Sequence, residues 1–386
     1  MLSSPAASPD RISTFARVAA LICAIMFALP GTSGTPADVL AVPTHDAAKA
    51  TYELSAGLDG EIYPVFANYA ALQNPARRKW GTVSVKVTNS SSQVLRNRLA
   101  VQIPGWSDPE IQAIQLGAGE SQTYMFAPTL LRRAFRNHEI AAATATMTAT
   151  GSNGQVVDQE TLPVRLRSVD DLYWGRDFEY ASFIASWVTP HDPIVEQLLA
   201  RAKEYMPGRR LPGYESSNPA VQDRLTVQQA SAIYRAMQEQ GVSYVKSSMT
   251  LGGHEEFSER IRMPAESIDR SSANCIDGVV TYAAMFENLG MEPVIVLVPG
   301  HAYVGIRLAP GKDRYLYIET SLTGRVSFAL SVKSARQSMA KFQPSDFFRI
   351  DIRQARVDGI YPMPSFEHQP AAPVLDASRN LGRNGT

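Results

Sequence analysis

Cysteine is almost absent from this chain: two in 386 residues, Cys23 and Cys275. There is no CxxC pair, so neither a redox dithiol nor a zinc knuckle is expected. The six histidines are scattered, with no HExxH and no other metal-ligand spacing. No glycine-rich loop of phosphate-binding type is present, and no calcium-loop motif. Lys+Arg and Asp+Glu are both 37, so no basic excess points to nucleic acid. No internal repeat is found. Hydrophobic residues at 45% and charged residues at 19% describe a globular chain rather than a disordered one.

The first apolar stretch, "VAALICAIMFALP" (18–30), is short for the roughly 20 residues of a membrane span. Arg11 and Arg17 precede it and the small residues of "GTSGTPA" (31–37) follow. This order of charge, apolar run and small residues is that of a secretory signal peptide, here residues 1–36. An uncleaved N-terminal anchor is the alternative, and the only route to a membrane. The chain is therefore expected to be exported: periplasmic, cell-surface or secreted. The cleavage position stays open between about residue 31 and residue 49. Ile22, before Cys23, is too large for a lipoprotein processing site. Removal of the leader leaves Cys275 as a lone thiol, which suggests intermolecular pairing or a reactive group, with a buried small hydrophobe as the bland alternative.

Residues 50–170 read as all-β. Val83, Val85 and Val87 alternate in "TVSVKVTN", "NSSS" (89–92) is a turn cluster, and "VLRNRLAVQI" (94–103) follows as a second strand. "IAAATATMTATG" and "QVVDQETLPVRLRS" form a hairpin around "GSNG" (151–154). Short strands at this spacing predict a β-sandwich, and the region resembles the immunoglobulin-like modules of exported bacterial enzymes. A carbohydrate or other cell-envelope component is a candidate ligand for it, and a spacer role is equally open.

Past "SVDDLYWGRDFEY" (168–180) the pattern changes. "PIVEQLLARAKEYM" (193–206) is amphipathic at helical period, through Ile194, Leu198 and Ala202. "TVQQASAIYRAMQEQG" (226–241) reads as a second helix, with Thr226 as N-cap and Gly241 as stop. "CIDGVVTYAAMFENLG" (275–290) is a third, followed by the strands "PVIVLVPG", "HAYVGIRL" and "YLYIETSL". Helices followed by adjacent strands predict an α+β domain over 176–364, with a cysteine-bearing helix packed on an antiparallel sheet. The tail 365–386 is rich in Pro, Asn and Gly and is expected to be disordered. Whether the Pro/Gly- and Arg-bearing segment 200–225 forms a lid is left open.

Cysteine nucleophiles need a thiolate, a base and a group that orients the base. "SSAN" places Cys275 at the first turn of a helix, where the dipole favours negative charge. His301 opens the strand after "VPG", and Glu319 is the one carboxylate on the apolar "YLYIETS". A buried strand carboxylate is costly unless paired, and a histidinium is its natural partner. An exposed edge Glu is the bland alternative. His254 and His368 lie in polar or loose segments and are poorer candidates for the base. Asp277 is expected to serve the helix dipole. Trp174 and Trp187 are expected to be joint or core aromatics, with ligand stacking as the lesser alternative.

These residues carry a resemblance. "CIDGVVTYAAMFENLGMEPVIVLVPGHAYVGIRL" and "YLYIETS" resemble the transglutaminase-like branch of the papain-like superfamily, most strongly over 272–322. The upstream "YVKSS" (244–248) and "IRMPAESI" (261–268) are similar to bacterial members. The resemblance implies Cys275 as nucleophile, His301 as base and general acid, and Glu319 as orienting acid, where most members carry Asp. It implies acyl transfer on amide or peptide bonds of a protein or peptide substrate, without metal or cofactor. Water as acceptor makes a peptidase or amidase; an amine makes a crosslinker. A non-catalytic binding or scaffold module on the same fold is the other reading. Tyr244, Ser247 and Asn274 are candidate second donors to the oxyanion, beside the backbone N–H of Cys275.

Overall fold

A computed structural model describes residues 50–69, 82–246 and 258–364. The signal peptide with Cys23, the C-terminal tail, His254, His368 and Ser247 lie outside the described residues. All described residues belong to one unit, Ala48–Thr386. Among them no helix is long and apolar enough to cross a membrane.

Two sheets form the N-terminal half. β1 (Ala50–Ala56), β3 (Val83–Asn89) and β6 (Ser121–Phe126) make a three-stranded sheet in the order β1-β3-β6. β2 (Glu61–Ile62), β4 (Leu95–Gln102), β5 (Glu110–Leu116), β7 (Ala141–Gly151) and β8 (Val156–Leu166) make a five-stranded one, in the order β2-β8-β7-β4-β5. Val83, Val85 and Val87 are fully buried and pack with Leu99, Val101, Met147 and Leu166 of the facing sheet. The alternation in β3 is thus the inner face of a sandwich. In β7 the inward residues are Ala145, Met147 and Ala149, while Thr144, Thr146, Thr148 and Thr150 take the outer positions.

The second core starts earlier in the chain than a cut at residue 170 implies. Tyr63, Val65 and Phe66, just after β2, are buried with Trp174, Phe183 and Trp187 rather than inside the sandwich. Phe66 meets the Phe183 ring edge-on at 4.7 Å. Asp170, 1% exposed, accepts from the Arg260 guanidinium at 2.8 Å and lies 2.9 Å from His138 Nδ1, tying both halves together.

The rest runs β9 (Asp171–Tyr173), α1 (Pro193–Ala202), α2 (Pro219–Glu239), β10 (Ser243–Tyr244), β11 (Ser258–Arg260), α3 (Pro264–Asp269), β12 (Ser272–Ala273), α4 (Cys275–Asn288), β13 (Pro293–Val298), β14 (His301–Arg307), β15 (Tyr315–Ile318), α5 (Phe328–Met339), β16 (Phe348–Asp351) and α6 (Ile352–Val357). An antiparallel sheet in the order β15-β14-β13-β16 forms its centre. Ile295, Ala302, Val304, Ile306 and Ile318 share one face and one core with α4. Val294, Val296, Val298 and Tyr303 share the other face with Ala335 and Met339 of α5. Both faces are covered, which is why β13 reads as an unbroken apolar run.

Two helix boundaries differ from the sequence reading. α2 starts at Pro219, not at Thr226, and its N-cap is Asn218, whose side chain accepts from the N–H of Ala220 and of Val221. Thr226 lies inside the helix, fully buried, and donates to Leu308 O at 2.9 Å. α1 ends at Ala202, where the chain tightens into a 3-10 turn before Pro207.

Candidate functional site

α4 begins at Cys275 because Asn274 caps it. The Asn274 carboxamide oxygen accepts from Asp277 N at 2.7 Å, and Asp277 Oδ2 accepts from Asn274 N at 3.1 Å, a reciprocal capping box. Asp277 Oδ1 also takes the N–H of Arg262 at 2.9 Å. Asp277 thus serves the helix start, as expected, and it is 1% exposed. Burial pushes its carboxyl up from the ordinary range, while the hydrogen bonds from Arg262 and Asn274 pull it back. Every residue of α4 from Cys275 to Phe286 is buried, and Cys275 retains 8% exposure. As the first helical residue, Cys275 has no intrahelical acceptor for its N–H.

His301 comes to the thiol from the opening of β14. Its Nε2 lies 2.7 Å from Glu319 Oε2, and the Cys275 side chain is near enough to act on the charge of the ring. The Tyr303 ring stands edge-on to the imidazole, with centroids 4.8 Å apart. Burial opposes the charged ring, but Cys275 beside it and the hydrogen bond and charge of Glu319 outweigh it. The His301 pKa is pushed up to about 9, so the imidazolium is the form at neutral pH.

Glu319 is the residue just past β15 and is 5% exposed, not an exposed edge side chain. It caps the 3-10 turn Thr320–Leu322: Oε1 accepts from Ser321 N at 3.1 Å and Ser321 Oγ at 2.6 Å. Ser331 Oγ from α5 holds the Glu319 backbone at both N and O, at 3.2 and 3.0 Å. Both oxygens of this buried carboxyl group are thus hydrogen-bonded, one to His301 and one to Ser321.

Gly278 sets how closely the two parts meet. A Cβ there would lie 2.7 Å from Thr320 Oγ1 and 3.0 Å from Thr320 Cβ, so only glycine lets the first turn of α4 close on the Glu319 turn.

Tyr244 lies beside the site. β10 pairs in parallel with β12, setting Tyr244 opposite Ala273, two residues before Cys275. It is 40% exposed, and burial, then the charges of Cys275 and Glu319, raise its hydroxyl pKa. Asn274, the other described candidate donor, has its oxygen committed to the cap. Trp174 and Trp187 are fully buried, so neither offers a stacking face to a ligand. The segment 200–225 is not over the thiol: Gly213 packs on Leu289 O and Tyr214 Oη donates to Arg307 O, both at the opposite ends of α4 and β14. Ser321, Ser331 and Tyr303 were missed as site residues by sequence reasoning. Only Ser321 left a signal, as a polar residue two positions after a carboxylate at a strand end. Among the described residues no group of three or more His, Cys, Asp or Glu is placed to hold a metal ion.

No protein-family model and no curated protein matches the sequence. Among solved structures, the FixG-related protein from Vibrio parahaemolyticus is similar at 17% identity over 31% of this chain and 95% of that one, with a TM-score of 0.18. The exo-chitosanase of Amycolatopsis orientalis is 13% identical over 53% of this chain and 28% of that one, at a TM-score of 0.20. A family 76 glycoside hydrolase from a bovine Bacteroides thetaiotaomicron strain is 12% identical over 36% and 23%, at 0.14. Likeness at this level carries no inference about fold or activity.

Proposed function

We propose that this protein is an exported cysteine-dependent acyl-transfer enzyme of the transglutaminase-like branch, with Cys275 as nucleophile, His301 as base and general acid, and Glu319 as orienting acid. The observation that carries this reading is the histidine 2.7 Å from a buried carboxyl group and within electrostatic reach of a thiol at a helix N-terminus. An imidazolium and a helix N-terminus are the two surroundings in which a thiolate is held for attack. The sulfur adds to an amide carbonyl, His301 gives its proton to the leaving amine as the C–N bond breaks, and a thioester remains. Water or a second amine then attacks the thioester, with neutral His301 accepting the proton. The substrate class is a protein or peptide, and no metal or cofactor enters the mechanism. The sandwich, an immunoglobulin-like module in this reading, is the candidate site for a cell-envelope component.

One observation favours the alternative, a scaffold that has kept the fold without turnover: Cys275 is only 8% exposed. Alkylation separates the two. Iodoacetamide is expected to label Cys275 at near-neutral pH faster than a free thiol, and His301→Ala to remove the excess. Equal rates in wild type and variant would sink the triad and leave the scaffold.

A further inference from the structure

Behind the first turn of α4 lies a second carboxyl that the triad does not use. Glu259, in the middle of β11, is 5% exposed. β11 pairs antiparallel with β9, setting Glu259 opposite Leu172. Its Oε2 accepts from Trp174 Nε1 at 3.1 Å, and its Oε1 is buried with no hydrogen-bond partner among the described residues. Three residues on, Arg262 gives its backbone N–H to Asp277, and its guanidinium lies 3.7 Å from Asp277 Oδ2. One short connection therefore carries Glu259 and anchors the cap of the Cys275 helix.

The two buried carboxyls are unequally supplied. Asp277 receives two backbone N–H groups and a nearby cation; Glu259 receives one neutral indole N–H. Surroundings this different leave Glu259 the less able of the two to carry a negative charge. The other charges around them do not answer Glu259. Arg260 is turned to Asp170, Asp171 across β9 pairs with Arg167, and Arg262 and Glu266 act on Asp277. Burial, opposed by the Trp174 bond and reinforced by the Asp277 charge, pushes Glu259 up to about 8.

We propose that Glu259 is a proton-holding positioning residue for the Cys275 helix: as a neutral acid it adds no charge behind the Asn274–Asp277 cap, and on losing its proton it sets a negative charge beside that cap and loosens the start of α4. Only its consequence for thiol reactivity rests on the function proposed above.

An unfolded Glu ionises near 4.5, whereas the folded one keeps its proton to about 8, so across this window the native state binds more protons. Glu259 therefore costs the wild type stability progressively as pH rises through the window. Glu259→Gln imitates the neutral acid, since its amide oxygen can accept from Trp174, and it cannot ionise. The test compares the two full-length proteins by thermal unfolding from about pH 5 to about pH 9. The expected result is that wild-type Tm falls relative to Glu259→Gln by at least about 2 °C across the range. A purely structural role would leave a constant gap, and a constant gap overturns the proposal. If the variant does not fold, infrared spectra of wild type carrying isotope-labelled glutamate decide. A protonated glutamate carboxyl present near neutral pH and lost by about pH 9 supports the proposal; its absence at neutral pH overturns it. Iodoacetamide rates measured alongside keep the two readings apart. Should His301→Ala leave labelling unchanged, the nucleophile assignment fails while the Tm profile still judges Glu259.

Discussion

Glu319→Gln is the substitution that most directly tests what holds His301 in its charged form. The side chain keeps its length, and its amide oxygen can still accept from Nε2, so packing and the hydrogen bond survive while the negative charge goes. In the wild type the His301 pKa stands at about 9 against an ordinary 6.5, although burial alone pulls it down. Glu319 supplies both a hydrogen bond to the ring and a full charge 2.7 Å from it. Loss of the charge leaves burial opposed by Cys275 and a weaker, neutral bond. The pKa is expected to fall by about 2.5 units or more, to about 6.5 or below, which at 1.36 kcal/mol per unit is at least about 3 kcal/mol. At pH 7 the imidazolium fraction would drop from nearly all to roughly a quarter. Ring-labelled histidine followed by NMR over pH 5 to 10 reads this directly, with His301→Ala identifying the resonance among the six histidines. Repeating the pair in a Cys275→Ala background removes the thiol's share. A fall of less than half a unit in both backgrounds would refute the reasoning, because the carboxylate charge would then not be what raises His301.

The same shift fixes the sign of a stability effect. A histidine raised from 6.5 to about 9 stabilises the fold fully below 6.5 and loses that contribution as pH rises through 9. Urea unfolding should therefore show the gap between wild type and Glu319→Gln, up to about 3 kcal/mol, at about pH 6 and little of it at about pH 10. Gly278→Ala should destabilise by about 1–3 kcal/mol, against the gain of up to about 1 kcal/mol such a change brings in an open helix, because the new methyl meets Thr320 at 2.7 Å. The same variant should slow Cys275 alkylation by moving the Glu319 turn, and a more stable variant with unchanged labelling would count against that packing. Asn274→Ala removes one half of the capping box and should cost about 1 kcal/mol in a urea melt, with a lower iodoacetamide rate at Cys275.

The parts of the fold legible in the sequence were those governed by period and by local chemistry. Val83, Val85 and Val87 alternate because one face of β3 is buried, and "GSNG" turns β7 into β8. The start of α2 was misplaced for a local reason as well. Thr226 looks like a cap, but Asn218 followed by Pro219 is the stronger start signal, and the polar residues of the first turns hid the helical period. Cys275, His301 and Glu319 were readable because each breaks its own setting: a thiol at a helix start, an imidazole opening an apolar strand, a carboxylate ending one. The structure brings these three together.

What fixes them in place was not readable, because it comes from elsewhere in the chain. Ser331 reaches Glu319 from α5, Trp174 reaches Glu259 across 85 residues, and Arg262 reaches Asp277 from outside α4. None of these residues breaks a local rule, so no local pattern could single them out. The same division bears on reactivity. In the proposed reading the three side chains carry acyl transfer, while two buried carboxyl groups behind the helix start, Asp277 and Glu259, decide how firmly Cys275 is presented. Substitution behind the helix should therefore change the pH dependence of labelling while leaving its requirement for His301 intact, whereas His301→Ala should remove the excess reactivity itself.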